Sequence, residues 1–70
     1  MASGILNRVF QFRSKKNITQ EDLAEAVGVS RQTIISIEKG NYIPSLLLGF
    51  KIARFFKKSV EEVFTYTHEK

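Results

Sequence analysis

Apolar residues along this chain recur at helical spacing in five blocks, each fenced by residues that start or stop helices. In the first block Val9, Phe10, Phe12 and Arg13 make a broad inner face. Asn7 is its expected N-cap, and Lys15-Lys16-Asn17 ends it with cations at the negative end of the helix dipole. Thr19 caps the second helix, Asp22 completes a variant of the capping box, and Leu23, Ala24 and Val27 form the inner stripe. Gly28 follows at the C′ position, where a positive φ suits glycine. Val29 points inward from the turn, and Ser30 caps a third helix from Arg31 to about Lys39, which Gly40 ends. Asn41-Tyr42-Ile43-Pro44 is a short connection, Pro44 disfavouring helix at Ile43. Ser45 caps a fourth helix from Leu46 to about Phe56, and Lys57-Lys58 breaks the pattern. Ser59 and Glu62 form a capping box for a short fifth helix through Phe64. The tail then alternates aromatic and threonine, a strand pattern that needs a partner. Ile5-Leu6 is the candidate within the chain, so residues 64–70 are either one strand of a terminal β-ribbon or a short tail. The expected fold is all-α: one compact domain over 1–70 with five helices.

The second and third helices, residues 19–39, read as a helix-turn-helix. At about 100° per residue, Ile34 and Ile37 fall on one side of the third helix. Arg31, Gln32, Ile35, Ser36 and Lys39 fall on the other. A helix resting on a core needs only the first group. Arginine donates two hydrogen bonds to guanine O6 and N7, glutamine pairs with adenine N6 and N7, serine reads either, and isoleucine can touch a thymine methyl. Arg31 and Gln32 also stand at the N-terminal end, which reaches base edges in this motif. The base-reading candidates are therefore Arg31, Gln32, Ile35 and Ser36. Thr19 and Gln20 open the second helix, where free backbone N–H groups can hold a phosphate. Gln20 is expected to reach a phosphate and brace Gln32.

The chain has 70 residues and a net charge of +4, with a pI near 9.7. A small basic domain favours polyanions, nucleic acid first. It is 43% hydrophobic, enough for a packed core. Cysteine is absent, which suits a reducing cytosol and leaves no thiolate metal site. The opening carries no signal-peptide pattern, and no apolar run approaches the roughly 20 residues that span a bilayer. The expected location is cytoplasmic. The single histidine, His68, has no cysteine or second histidine beside it, and no nucleophile–base pair or phosphate-cradling glycine loop is present. These absences argue against an enzyme, a cofactor or a metal.

Four ordered pieces carry a family resemblance: Ile18-Thr19-Gln20-Glu21-Asp22-Leu23-Ala24, Gly28-Val29-Ser30-Arg31-Gln32-Thr33-Ile34, Ile37-Glu38-Lys39-Gly40 and Pro44-Ser45-Leu46. Over about Asn7 to Phe64 the chain resembles the Xre/Cro-type helix-turn-helix regulators, and its length and aromatic tail resemble the very small dimeric kind typified by the cytolysin repressor. The resemblance implies a double-stranded DNA operator as partner, with Arg31, Gln32 and Ser36 facing the major groove. It implies Gln20 at phosphate, Thr33 at backbone or base, and Lys39, Asn41 and Tyr42 near the phosphates. It also implies an Arg13–Glu38 pair tying the first helix to the third. Gly49 and Lys57 depart from the family, which has alanine or larger at the first position and often glycine at the second.

On the fourth helix Leu46, Phe50, Ala53 and Phe56 form one stripe, and Leu48, Ile52 and Phe55 an adjoining one. Together they exceed the roughly 100° stripe that one core contact needs. The surplus points to a homodimer, with Leu48, Ile52, Phe55, Phe64 and Tyr66 as interface candidates and two reading helices about 34 Å apart. The leading reading is a repressor on a palindromic operator, with no small-molecule effector evident. A protein-interaction module of the same fold and the antitoxin of a toxin–antitoxin pair are the alternatives.

Overall fold

The computed structural model describes residues 4–67. Its elements run β1 (Gly4–Asn7), α1 (Val9–Lys16), α2 (Gln20–Val27), α3 (Arg31–Lys39), α4 (Leu46–Phe55), α5 (Val60–Val63) and β2 (Phe64–Thr67). Five helices thus form the body, and the first and last elements pair as an antiparallel ribbon, Ile5 opposite Tyr66 and Leu6 opposite Thr65. His68 and the rest of the expected tail lie outside the described residues. An isolated two-stranded ribbon is marginal in water. This one is fixed to the helices: Arg8 N–H donates to the Val63 carbonyl at 2.9 Å, and Phe64 packs on the core.

The capping residues behave as their chemistry requires. Thr19, Ser30, Ser45 and Ser59 are all extended and accept a backbone N–H three residues on. Thr19–Asp22 and Ser59–Glu62 are complete capping boxes. The first four helices also end alike. A left-handed residue follows each, at Asn17, Gly28, Gly40 and Lys57, and the next N–H bonds back to the last turn. Lys57 at φ 59° therefore stands in a conformation that favours glycine.

The buried core joins Val9, Leu23, Val27, Ile34, Ile37, Ile52, Phe56 and Val63. Phe12 and Phe56 pack with ring centroids 5.7 Å apart. Several expectations change here. Asn7 closes β1 instead of capping α1; the cap position belongs to Arg8, while the Asn7 side chain accepts the Val9 N–H at 3.1 Å. Phe10 is exposed, because α1 covers the core with Val9 and Phe12 alone. The fifth helix stops at Val63, since Phe64 turns to extended backbone and starts β2. Leu48 and Ile52, expected at a dimer interface, are 7% and 0% exposed. They belong to this chain's own core, and Phe55 is half-buried against it. The apolar surplus of α4 instead falls on Leu46, Leu47 and Phe50, which are exposed.

Two substitutions follow from the backbone. A Cβ at Gly49 meets only Phe64 Cε2, at 3.9 Å, an ordinary contact. Gly49→Ala should therefore stabilise the fold by about 1 kcal/mol, and Lys57→Gly by about 0.5–1 kcal/mol, read as higher urea midpoints. A loss of stability at either site contradicts the assignment.

The capping boxes also set a pH dependence. Asp22 accepts the Thr19 backbone N–H and Glu62 that of Ser59, which lowers both carboxyl pKa values. A carboxyl whose pKa is lower when folded stabilises the fold above its unfolded pKa, about 4. That contribution is lost as pH falls through the folded value. Thermal midpoints should drop below about pH 4, and Asp22→Asn with Glu62→Gln should make that drop shallower.

Candidate nucleic-acid interface

The third helix is anchored from behind. Ile34 and Ile37 are fully buried, which seats α3 on the core with its opposite face outward. Arg31 and Gln32 are exposed at the first turn, just after the Ser30 cap, while Lys39, Asn41 and Tyr42 are exposed around its far end. Ile35, Ser36 and Thr33 are half-buried, so less of each meets solvent than the helical wheel implies. The Thr33 hydroxyl lies 3.0 Å from Ser30 Oγ, and its backbone N–H donates to the same oxygen.

A hydrogen-bonded cluster locks α3 to the preceding helices. Arg13 donates through Nε to Glu38 Oε2 at 2.7 Å and through Nη2 to Glu38 Oε1 at 3.1 Å. Its Nη1 donates to the Ile18 carbonyl at 3.0 Å, in the turn between α1 and α2. Gln20 Nε2, from the first residue of α2, donates to Glu38 Oε1 at 3.1 Å. The two charged side chains are only 13% and 8% exposed. The Glu38 hydrogen bond and charge raise the Arg13 pKa despite the opposing effect of burial, so the guanidinium stays charged. Burying an ion pair is favourable only when its remaining donors and acceptors are matched. Here they are: among the described residues no buried side-chain polar atom lacks a partner.

The cluster has an electrostatic consequence. Glu38 is the one acid on α3, and its charge is covered by Arg13. What α3 presents outward is then Arg31, Lys39 and neutral hydrogen-bonding groups. Beside it, Asn17, Thr19, Gln20 and Arg31 line a shared polar hollow at the start of α2. Glu21 lines it as well, a negative charge that works against phosphate there.

The family resemblance implied the Arg13–Glu38 pair but not its third member. Gln20 braces Glu38, not Gln32. Sequence reasoning also missed Asn7 as a tie: Asn7 Nδ2 donates to the Ile37 carbonyl at 2.9 Å, joining β1 to the end of α3. Asparagine was read for its capping oxygen, and the strand that carries it depends on a distant partner, Asn7 lying opposite Phe64, so the reach to Ile37 left no local signal.

Comparison with known proteins identifies the fold as that of helix-turn-helix regulators. The family described as Helix-turn-helix matches residues 9–63. An uncharacterized HTH-type transcriptional regulator of Methanocaldococcus jannaschii is 58% identical over 60 residues, covering 86% of this chain and 91% of the relative. The HTH-type regulator YgzD of Bacillus subtilis is 48% identical over 63 residues, covering 90% and 96%. Among solved structures, the restriction-modification controller protein C.AhdI from Aeromonas hydrophila superposes with a TM-score of 0.72 at 28% identity, covering 77% of this chain and 82% of that one.

The anchoring cluster makes a measurable demand. Arg13→Met leaves Glu38 largely buried without its cation and should cost about 2–4 kcal/mol in urea unfolding. Adding Glu38→Leu should recover much of that loss, because an apolar pair has no charge to desolvate. A single variant within 0.5 kcal/mol of the parent, on the order of a neutral surface change, would remove the cluster from the anchoring role.

Proposed function

Because the chain belongs to the Xre/Cro-type helix-turn-helix family of transcriptional regulators, we propose that it binds a palindromic operator as a homodimer and represses by excluding polymerase. The observation that carries this reading is the pair Arg31 and Gln32, exposed at the capped start of a helix whose other face is buried. In this reading Arg31 bonds guanine, Gln32 adenine, and Ile35 and Ser36 contact neighbouring base edges. Lys39, Asn41 and Tyr42 take phosphates beyond the end of α3, and Thr19, Gln20 and Thr33 take phosphates at its near side. Gln20 does so with its second amide hydrogen, since the first serves Glu38. Repression needs no further domain: the bound dimer itself covers promoter DNA, in the cytoplasm, and is set by protein concentration.

A second copy is best accommodated by the groove of about 180 Å³ between β1, the Ile43-Pro44 connection, α4 and β2. Its lining carries no charged side chain, so a two-fold contact there opposes no like charges. Ile43 and Leu46 at its mouth are 61% and 74% exposed, and Phe64, an expected interface residue, forms part of its wall. Tyr66 stands on the adjoining ribbon.

The test uses the duplex recovered by selection from a random pool. Arg31→Ala should cost about 1–3 kcal/mol on that duplex and relax base preference at one position in each half-site. Lys39→Ala should weaken all sequences alike and lower the slope of log K against log salt by about one unit. An equal loss on all sequences for Arg31→Ala moves that residue to the phosphates. No effect from either variant overturns the reading.

A further inference from the structure

A second groove lies between the C-terminal half of α2 and the outer face of α4, and none of the residues assigned to DNA lines it. Leu47 and Phe50 form its apolar floor with half-buried Phe55, and they are 65% and 48% exposed. Lys51 and Arg54 stand along its α4 edge, one helical turn apart. Lys16 adds a third cation, its Nζ 5.7 Å from the centre of the Phe55 ring. The opposite wall holds one carboxylate, Glu25. From Leu47 to Phe55 the floor extends about 12 Å at roughly 1.5 Å per residue, the length of two helical turns.

We propose that this groove docks an acidic amphipathic helix of a partner protein. An apolar trough between two helices accepts a third helix through residues spaced at i and i+3 or i+4. Lys51, Arg54 and Lys16 select a partner with carboxylates along one edge, and Glu25 turns that edge towards α4. A second copy of this chain is the poorer occupant. It brings three more cations and a single further carboxylate into one contact, whereas the uncharged groove beside the ribbon raises no such conflict. An anionic lipid surface is also poorer, because it is flat and meets Glu25 at the rim. The docking site and the reading helix are on separate surfaces, so partner and DNA can be held together. Such docking gives the regulator a route to respond to another protein.

The experiment is a display selection against the full chain, using a library of surface positions on a fixed helical scaffold. Enriched helices should carry two or more apolar residues at i, i+3 or i+4 and an edge of Asp or Glu. Their affinity should fall about tenfold or more for the Lys51→Glu/Arg54→Glu double variant and about threefold for Leu47→Ser, with unchanged circular dichroism. All three positions are exposed, so these variants keep the core. No enrichment, winners without acidic edges, or winners indifferent to both variants would overturn the proposal. Sedimentation of the chain with phosphatidylglycerol vesicles, abolished by Leu47→Ser, would overturn it in favour of a membrane surface.

Discussion

The structure depends on one constraint: α3 must sit on the core at a fixed roll while its charged end faces out. Ile34 and Ile37 supply the adhesion, but apolar contact is non-directional and tolerates rotation. Direction comes from the Arg13–Glu38–Gln20 cluster. A planar guanidinium meeting a carboxylate through two parallel bonds has little angular freedom. Its third donor is spent on the Ile18 carbonyl, so α1, the α1–α2 turn and α3 are positioned by a single side chain. Gln20 brings in the start of α2. The same contacts that hold the helix also remove its one acidic charge from the surface offered to DNA.

The rest of the molecule keeps this arrangement stable in a chain too short to waste core. Helix ends are closed locally, by capping side chains at the start and left-handed residues at the finish. The turn between α2 and α3 is three residues, Gly28, Val29 and Ser30, and each has a separate duty: positive φ, apolar fill, and cap. The terminal ribbon then ties the two chain ends to α5 and, through Asn7, to the last turn of α3. The exposed apolar residues of α4 are divided between two grooves, one uncharged and one edged by cations.

Most of the fold was legible because its signals are local. Thr19, Ser30, Ser45 and Ser59 announce helix starts within four residues, and Gly28 and Gly40 announce ends. The outward face of α3 was legible because a helical wheel separates Ile34 and Ile37 from Arg31 and Gln32 without knowledge of the fold. Less legible were features decided by distant residues. A helical stripe cannot say whether Leu48 and Ile52 face the chain's own core or a partner, since both surfaces are apolar; burial by α2 and α5 decides it. Asn17 and Lys57 end helices without glycine, so they leave only a weak signal. Gln20 has equal chemistry for phosphate and carboxylate, and only the position of Glu38 shows that one amide hydrogen serves a carboxylate.

The central claim is that the chain meets DNA through the starts of α2 and α3. The most direct measurement is an amide chemical-shift map of the full chain, titrated with the selected duplex. The account predicts the largest shifts at Gln20, Arg31 and Gln32, smaller ones at Lys39 to Tyr42, and little change along Leu47 to Arg54. Large shifts confined to α4, with Arg31 and Gln32 unmoved, would contradict it.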